Sequence, residues 1–264
     1  MPKHHRIHAT AAAGFQAASE AYERSRPDYP AKAVDFMIAT LGIDSTTTVV
    51  ELGAGTGKFT RMLASRTAAR VVAIEPVENM RRKLHALLPA VTVLDGTAEA
   101  IPLEAATADV VVAAQAFHWF DGHRAIADIA RVLKPAGRIG LIWNIRDDSV
   151  DWVVRMTDIV DRHSLGVPQY KTMAWRQAFE ETTAFPMPTA RAFRHSQTVD
   201  LQTLLDRVTS ISYIAALPPA DRQPVLDEVT RLVRIHPQTR NLTRFTIPYR
   251  TDVYWSNKTD THGP

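Results

Sequence analysis

The amino-acid sequence predicts an α/β fold, a mostly parallel sheet with helices on both faces. Three observations carry this. Apolar runs alternate with helical patterns through residue 145, as parallel strands joined by crossover helices require. One such run, Thr48 to Val50, ends in Glu51 and opens into Gly53, Gly55 and Gly57 before a helical stretch from Lys58 to Ser65. The length, 264 residues, suits one domain with its own core.

Taken in order, Ala9 to Arg24 is alanine-rich and helix-compatible, and the two prolines of the stretch Ser25 to Pro30 break it. Ala31 to Leu41 reads as a helix leading into strand 1. After the glycines and their helix, Arg70 to Ile74 is a second apolar run, and it too ends in an acid, Glu75. Val77 to Leu88, Asp121 to Leu133 and Asp151 to His163 have helical periodicity. Arg138 to Trp143 is strand 5. From Ile145 to Pro188 the simple βα alternation stops, and this stretch reads as an insertion carrying Trp152, Tyr170, Trp175, Phe179 and Phe185. Arg191 to Val199 reads as strand 6. Asp200 is placed to cap a helix from Leu201 to Tyr213. Pro218 to Ile235 gives another helix, and Leu242 to Trp255 the last strand.

Composition excludes several classes. Cysteine is absent, so disulfides, a cysteine-bound iron–sulfur cluster and a thiol nucleophile are excluded. No run of eighteen apolar residues exists, so no membrane span or membrane partner is expected. Met1 to His8 is basic with no apolar segment behind it, which is not a secretory signal, and a cytoplasmic location is the expectation. Net charge is only +3, and the dense basic cluster Arg81-Arg82-Lys83 reads as a solvated helix face. No nucleic-acid module signature appears, so no nucleic-acid partner is expected.

The glycine loop fits neither common nucleotide pattern. The dinucleotide fingerprint G-x-G-x-x-G meets Lys58 at its third glycine. The P-loop meets Leu52 at its first glycine and Phe59 at its hydroxyl position. What remains is E-x-G-x-G-x-G, from Glu51 to Gly57, and it resembles motif I of the class I S-adenosylmethionine (SAM) methyltransferases. Gly96 to Leu103 resembles the adenine-side loop G-[DS]-A-E-x-L-P-[FL] that follows strand 3. Ala108 to Asp121 resembles strand 4 and its exit loop. Arg131 to Arg138 resembles the L-[KR]-P-G-G turn, with Ala136 in place of the first glycine. Tyr22 to Pro30 resembles the lid segment Y-x-x-x-R-P-x-Y-P. The likeness covers roughly residues 15–145 and returns at Pro248 to Trp255. It is strongest to the small-molecule group related to the ubiquinone/menaquinone and trans-aconitate enzymes.

The resemblance implies a Rossmann-like, mostly parallel seven-stranded sheet with an inserted cover before strand 6. It also implies one methyltransferase domain over 1–264. Residues 1–30 would form an N-terminal helix and lid, 31–144 the SAM-binding core, 145–190 a substrate-covering insertion, and 191–264 the closing strands and helices.

The implied cofactor is SAM, with no metal. Gly53, Gly55 and Gly57 would bring main chain against it, Glu51 would face its ammonium, and Glu75 would accept both ribose hydroxyls. Val77 and Met80 would sandwich the adenine, with core packing the alternative, and Pro76 would be a further cofactor contact. Thr97 stands where many relatives carry an acid toward the adenine amine, and its backbone or that of Ala98 would serve instead. Gln115 would meet the methionine part, with Tyr22 and Arg26 closing over the carboxylate.

On the acceptor side, His118 is the candidate general base, because its ordinary pKa lies near operating pH. The alternative is a structural histidine beside Trp119. Trp119, Trp143, Arg146 and Trp152 are the candidate substrate contacts, Arg146 for an anionic acceptor. Enzymes that methylate exocyclic amines carry [DN]-P-P-[YF] after strand 4. The chain reads Ala113-Ala114-Gln115-Ala116 there, which argues against DNA N-methylation, and oxygen or carbon of a small molecule is the expected acceptor. Two other readings stand beside transfer: a non-methylating reaction such as cyclisation on the same fold, and a non-catalytic partner protein. A homodimer, with Trp152 or Trp175 at its interface, is also open.

Overall fold

The computed structural model describes residues 25–164 and 166–259. Tyr22 therefore lies outside the described residues. In chain order the elements are α1 (Ala31–Leu41), β1 (Thr48–Leu52), α2 (Lys58–Ala64), β2 (Arg70–Ile74), α3 (Glu78–Leu87), β3 (Thr92–Leu94), β4 (Ala108–Ala114), α4 (Gly122–Val132) and β5 (Leu133–Arg146). There follow α5 (Asp151–Asp161), the short α6 (Gln177–Glu180), β6 (Thr189–Val199), α7 (Leu201–Thr209), the short α8 (Ser212–Ala215), α9 (Pro219–Ile235) and β7 (Phe245–Asn257). They build one seven-stranded sheet in the order β3-β2-β1-β4-β5-β7-β6. Strands β1 to β5 run parallel, and β7 is antiparallel to both β5 and β6. This is the mostly parallel α/β sheet that the pattern predicts.

The parallel strands form because they are buried on both faces and so carry unbroken apolar runs. On one face Leu52, Ile74, Val111, Ile126 and Trp143 share a core with Trp175 and Phe179. On the other, Val49, Met37, Leu41, Phe59 and Leu63 pack together. Helix α4 shows the matching periodicity, burying Ala125, Ile126, Ile129 and Val132. A third core joins α5, α7 and α9 to the far end of β7, through Trp152, Leu204, Val229 and Tyr249.

Two element boundaries differ from the sequence reading. Strand β5 runs on to Arg146, because its antiparallel ladder with β7 spans Arg138 to Arg146. The apolar run ends at Trp143, but main-chain pairing does not. Helix α7 starts as expected, with the Asp200 carboxylate accepting from the Thr203 amide at 2.8 Å. It stops at Thr209, short of Tyr213, where the Ser210 hydroxyl donates to the Arg207 carbonyl at 2.8 Å and offers the backbone a non-helical exit. No described helix is long and apolar enough to cross a membrane.

The tryptophans of the insertion are core, not pocket. Trp152 is 3 % exposed and meets the Phe245 ring edge-on at 5.4 Å. Trp175 packs on Trp143, with ring centroids 5.0 Å apart. Trp152→Ala should therefore cost about 3–5 kcal/mol of unfolding free energy, as large core truncations do. Urea denaturation of the purified variant measures it, and a loss below 1 kcal/mol would place this ring outside the core.

Candidate functional site at the carboxyl ends of strands 1, 2 and 4

The strand order reverses between β1 and β4, and in such sheets ligands bind in the crevice at that point. Glu51 ends β1 at 1 % exposure, with Thr60 donating to its Oε2 at 2.7 Å. Burial pushes its carboxyl pKa up to about 8. The loop beyond it holds Gly53, Gly55 and Gly57 at φ of 65°, 60° and 85°. A Cβ at Gly53 would come within 2.8 Å of Ala116, and one at Gly57 within 2.8 Å of Leu84. At Gly55 the nearest atom would be the Met80 sulfur, 3.8 Å away, so main chain is open to a ligand there.

Glu75, at the end of β2, is 5 % exposed and fastens this loop. Its Oε2 accepts from the Gly55 amide and its Oε1 from the Val77 amide, each at 2.8 Å. Burial pushes this carboxyl upward as well. Arg81 is not a free surface cation. Its Nη1 donates to the carbonyls of Glu75 at 2.9 Å and Pro76 at 2.7 Å, and to Asp95 at 3.0 Å. Met80 is buried beside the loop. On the β3 side, Ala98 is buried and the Thr97 hydroxyl is buried without a partner. Glu99 accepts from the Asp121 amide at 2.8 Å and so faces away from this task.

Gln115 closes β4 at a φ of 56°, which a side chain other than glycine tolerates only under constraint. Its amide donates to the Ile142 carbonyl at 2.9 Å and its side chain to the Asn144 carbonyl at 2.8 Å. The cleft so framed is lined by Arg26, Glu51, Gly53, Gln115, Asn144 and Arg207, among others. Arg26 reaches across it, donating from Nε to the Ser210 hydroxyl at 3.3 Å and from Nη2 to the Ser210 carbonyl at 3.0 Å. Lys58 holds the segment from below, through the Arg26 carbonyl at 2.9 Å and Asp28 at 3.0 Å.

The acceptor-side expectations change. The Trp143 indole is wholly buried and donates to His118 Nδ1 at 3.2 Å, so it is a core ring that positions His118 and not a substrate contact. Trp152 lies in the third core and is withdrawn for the same reason. The surroundings of His118 weaken it as a base. An indole N–H only donates, so Nδ1 is the lone-pair nitrogen and the neutral ring carries its proton on Nε2. Burial, with the Arg26 charge nearby, pushes its pKa down to about 3. His118 therefore presents a hydrogen-bond donor. Trp119 packs beside it, ring centroids 5.2 Å apart. Arg146 sits half-buried where the charge of Arg207 acts on it.

No residue of 145–190 is among those lining this part of the cleft. Arg207, from α7, was missed. Its signal is a cation on the buried stripe that Leu204 and Val208 occupy.

Known proteins resemble this chain in sequence and in fold. A methyltransferase domain model matches residues 50–141. An uncharacterised methyltransferase of Mycobacterium tuberculosis is 39 % identical over 241 residues, covering 90 % of this chain and 92 % of the relative. A methyltransferase-like protein of Schizosaccharomyces pombe is 34 % identical over 237 residues, with 90 % and 92 % covered. Among solved structures, the YcgJ protein of Bacillus subtilis superposes with a TM-score of 0.56 at 18 % identity, over 87 % of this chain and 99 % of that one. With its seven-stranded sheet and its glycine loop between two buried acids, the chain belongs to the methyltransferase family and has the class I fold.

Proposed function

We propose that this methyltransferase takes its methyl group from SAM and passes it to oxygen or carbon of a small molecule. The observation that carries the reading is the pair of buried carboxylates on either side of a glycine loop whose Gly55 main chain is open. When bound, SAM supplies an activated methyl on a sulfonium, with a neutral thioether as leaving group. The protein's part is to bind, align and exclude water.

Glu51 has the place to meet the cofactor's ammonium, a cation that would draw the proton off its buried carboxyl. Each oxygen of Glu75 already accepts one amide and keeps a second lone pair for a ribose hydroxyl. The unpartnered Thr97 hydroxyl can accept from an adenine amine. The strained turn at Gln115 brings main chain to the methionine end. His118 donates from Nε2 into the acceptor region and removes no proton.

Three outcomes test this. SAM and its product S-adenosylhomocysteine (SAH) should raise the melting temperature, and Glu75→Ala should weaken SAH binding more than Glu99→Ala. Each lost charged hydrogen bond is worth about 1.5–3 kcal/mol. Calorimetry reads this, and equal small losses would remove Glu75 from the site.

The second concerns Glu51. Burial pushes its folded pKa up to about 8 from an ordinary 4.5, so between those values the folded state holds a proton that the unfolded chain has released. Stability from this group is full below pH 4.5 and falls as pH rises toward 8. Glu51→Gln lacks that slope, so its stability relative to the parent should rise from pH 5 to pH 8.5. Urea unfolding at both values decides it, and an unchanged difference would mean Glu51 is ionised at neutral pH.

The third concerns His118. His118→Gln should lower turnover less than tenfold, and the pH–rate profile should show no histidine limb near pH 6. Loss of a general base costs about 100- to 10,000-fold, and a fall of that size would restore His118 as the base.

A further inference from the structure

On the wall of the cleft and in the core behind it lie a guanidinium and a hydroxyl with buried polar atoms that no described residue answers. Arg207 is 8 % exposed, lines the cleft, and has its Nε and Nη1 buried without a hydrogen-bond partner. Tyr249 is 1 % exposed, and its hydroxyl is likewise buried without a partner. Tyr249 pairs with Arg146 across the β5–β7 ladder, so their side chains leave the sheet on one face. Its ring is fixed on the other side by stacking on His195 at 5.3 Å. Burial lowers the pKa of Arg146, and the charge of Arg207 lowers it further.

The nearby Asp161 favours the charge of Arg146 from a distance, but its oxygens are engaged elsewhere. Asp161 is occupied by the Tyr213 hydroxyl at 2.7 Å on Oδ1 and by the Lys171 ammonium on Oδ2. A buried guanidinium without an anion is among the costliest groups a fold can hold. A planar, two-oxygen anion is the partner that guanidinium geometry fits best.

We propose that Arg207, Arg146 and the Tyr249 hydroxyl hold a carboxylate of the methyl acceptor, so that the substrates are small organic acids. The inference rests on the methyl-transfer reading above. The competing occupant is the carboxylate of the cofactor itself, for which Arg26 stands beside Lys58 on the same cleft.

The experiment has two arms. In the first, methyl-labelled SAM is incubated with a panel of mono-, di- and tricarboxylic acids and their primary amides. Acids should take label and amides should not. Arg207→Met and Arg146→Met should raise the acid KM at least tenfold while SAH affinity stays within twofold. Tyr249→Phe, which keeps the ring, should raise it several-fold. In the second, glutarate and glutaramide are titrated into the SAH-saturated protein and read by thermal shift. Glutarate alone should stabilise it, and Arg207→Met should abolish the effect. The free Arg207→Met protein should also melt higher than the parent, since a buried unpaired charge has gone.

Equal labelling of amides and acids would overturn the proposal. So would an unchanged acid KM in both arginine variants, or a tenfold loss of SAH affinity in Arg207→Met, which would give the site to the cofactor. If no compound takes label, it is the methyl-transfer reading that fails. The carboxylate site then stands or falls on whether Arg207→Met removes a glutarate-dependent shift.

Discussion

The carboxylate of Glu75 is the constraint on which the site depends. It is hidden from water, yet it accepts from the amides of Gly55 and Val77 and so ties together the loops that leave β1 and β2. The Gly53 and Ala54 amides meanwhile bond to the Ile74 carbonyl, at 2.9 and 3.2 Å, just before that acid. The glycine loop is thus fixed from below by strand β2 and from the side by its terminal carboxylate. The left-handed turns at Gly53, Gly55 and Gly57 follow from that closure, and so does the point at which α2 begins. Arg81 completes the arrangement by taking the carbonyls of Glu75 and Pro76, the acceptors that strand end leaves free.

The groups around the cleft share a second property. Burial raises the carboxyls of Glu51 and Glu75 and lowers Arg146 and His118. In each case the low-dielectric surroundings resist charge. Such a site is assembled before its ligand arrives, and charges brought by a ligand meet dipoles already in place instead of water.

The parallel strands were legible because burial on both faces writes an apolar run into the sequence. The glycine loop and its two flanking acids were legible for a local reason: sharp turns need glycine, and two strand ends carry acids within a short span of chain. Other features depend on topology. Arg207 lies on α7, far along the chain from the glycine loop, and only the folding of the last helices against β7 brings it to the cleft. Trp143 and Trp152 were misread because a large aromatic at a strand end or on a helix has the same sequence signature in a pocket wall as in a core. Which face it takes is decided by partners elsewhere, Tyr170 and Trp175 for the first and Phe245 for the second. The identity of His118 as a donor was likewise invisible, since its tautomer is set by an indole 25 residues away.

The position of β7 bears on how the molecule is made. It is the last strand in sequence, yet it lies inside the sheet, between β5 and β6. Until residues 245–257 leave the ribosome, β5 and β6 each present an unsatisfied edge, and the row containing Arg146, Tyr249 and His195 does not exist. The early strands can pair as they emerge, but this part of the sheet is completed only by threading one strand between two neighbours already made. That late insertion is a long-range step, slow by the physics of loop closure. It makes the nascent chain's exposed edges the interval in which this protein is most open to mispairing.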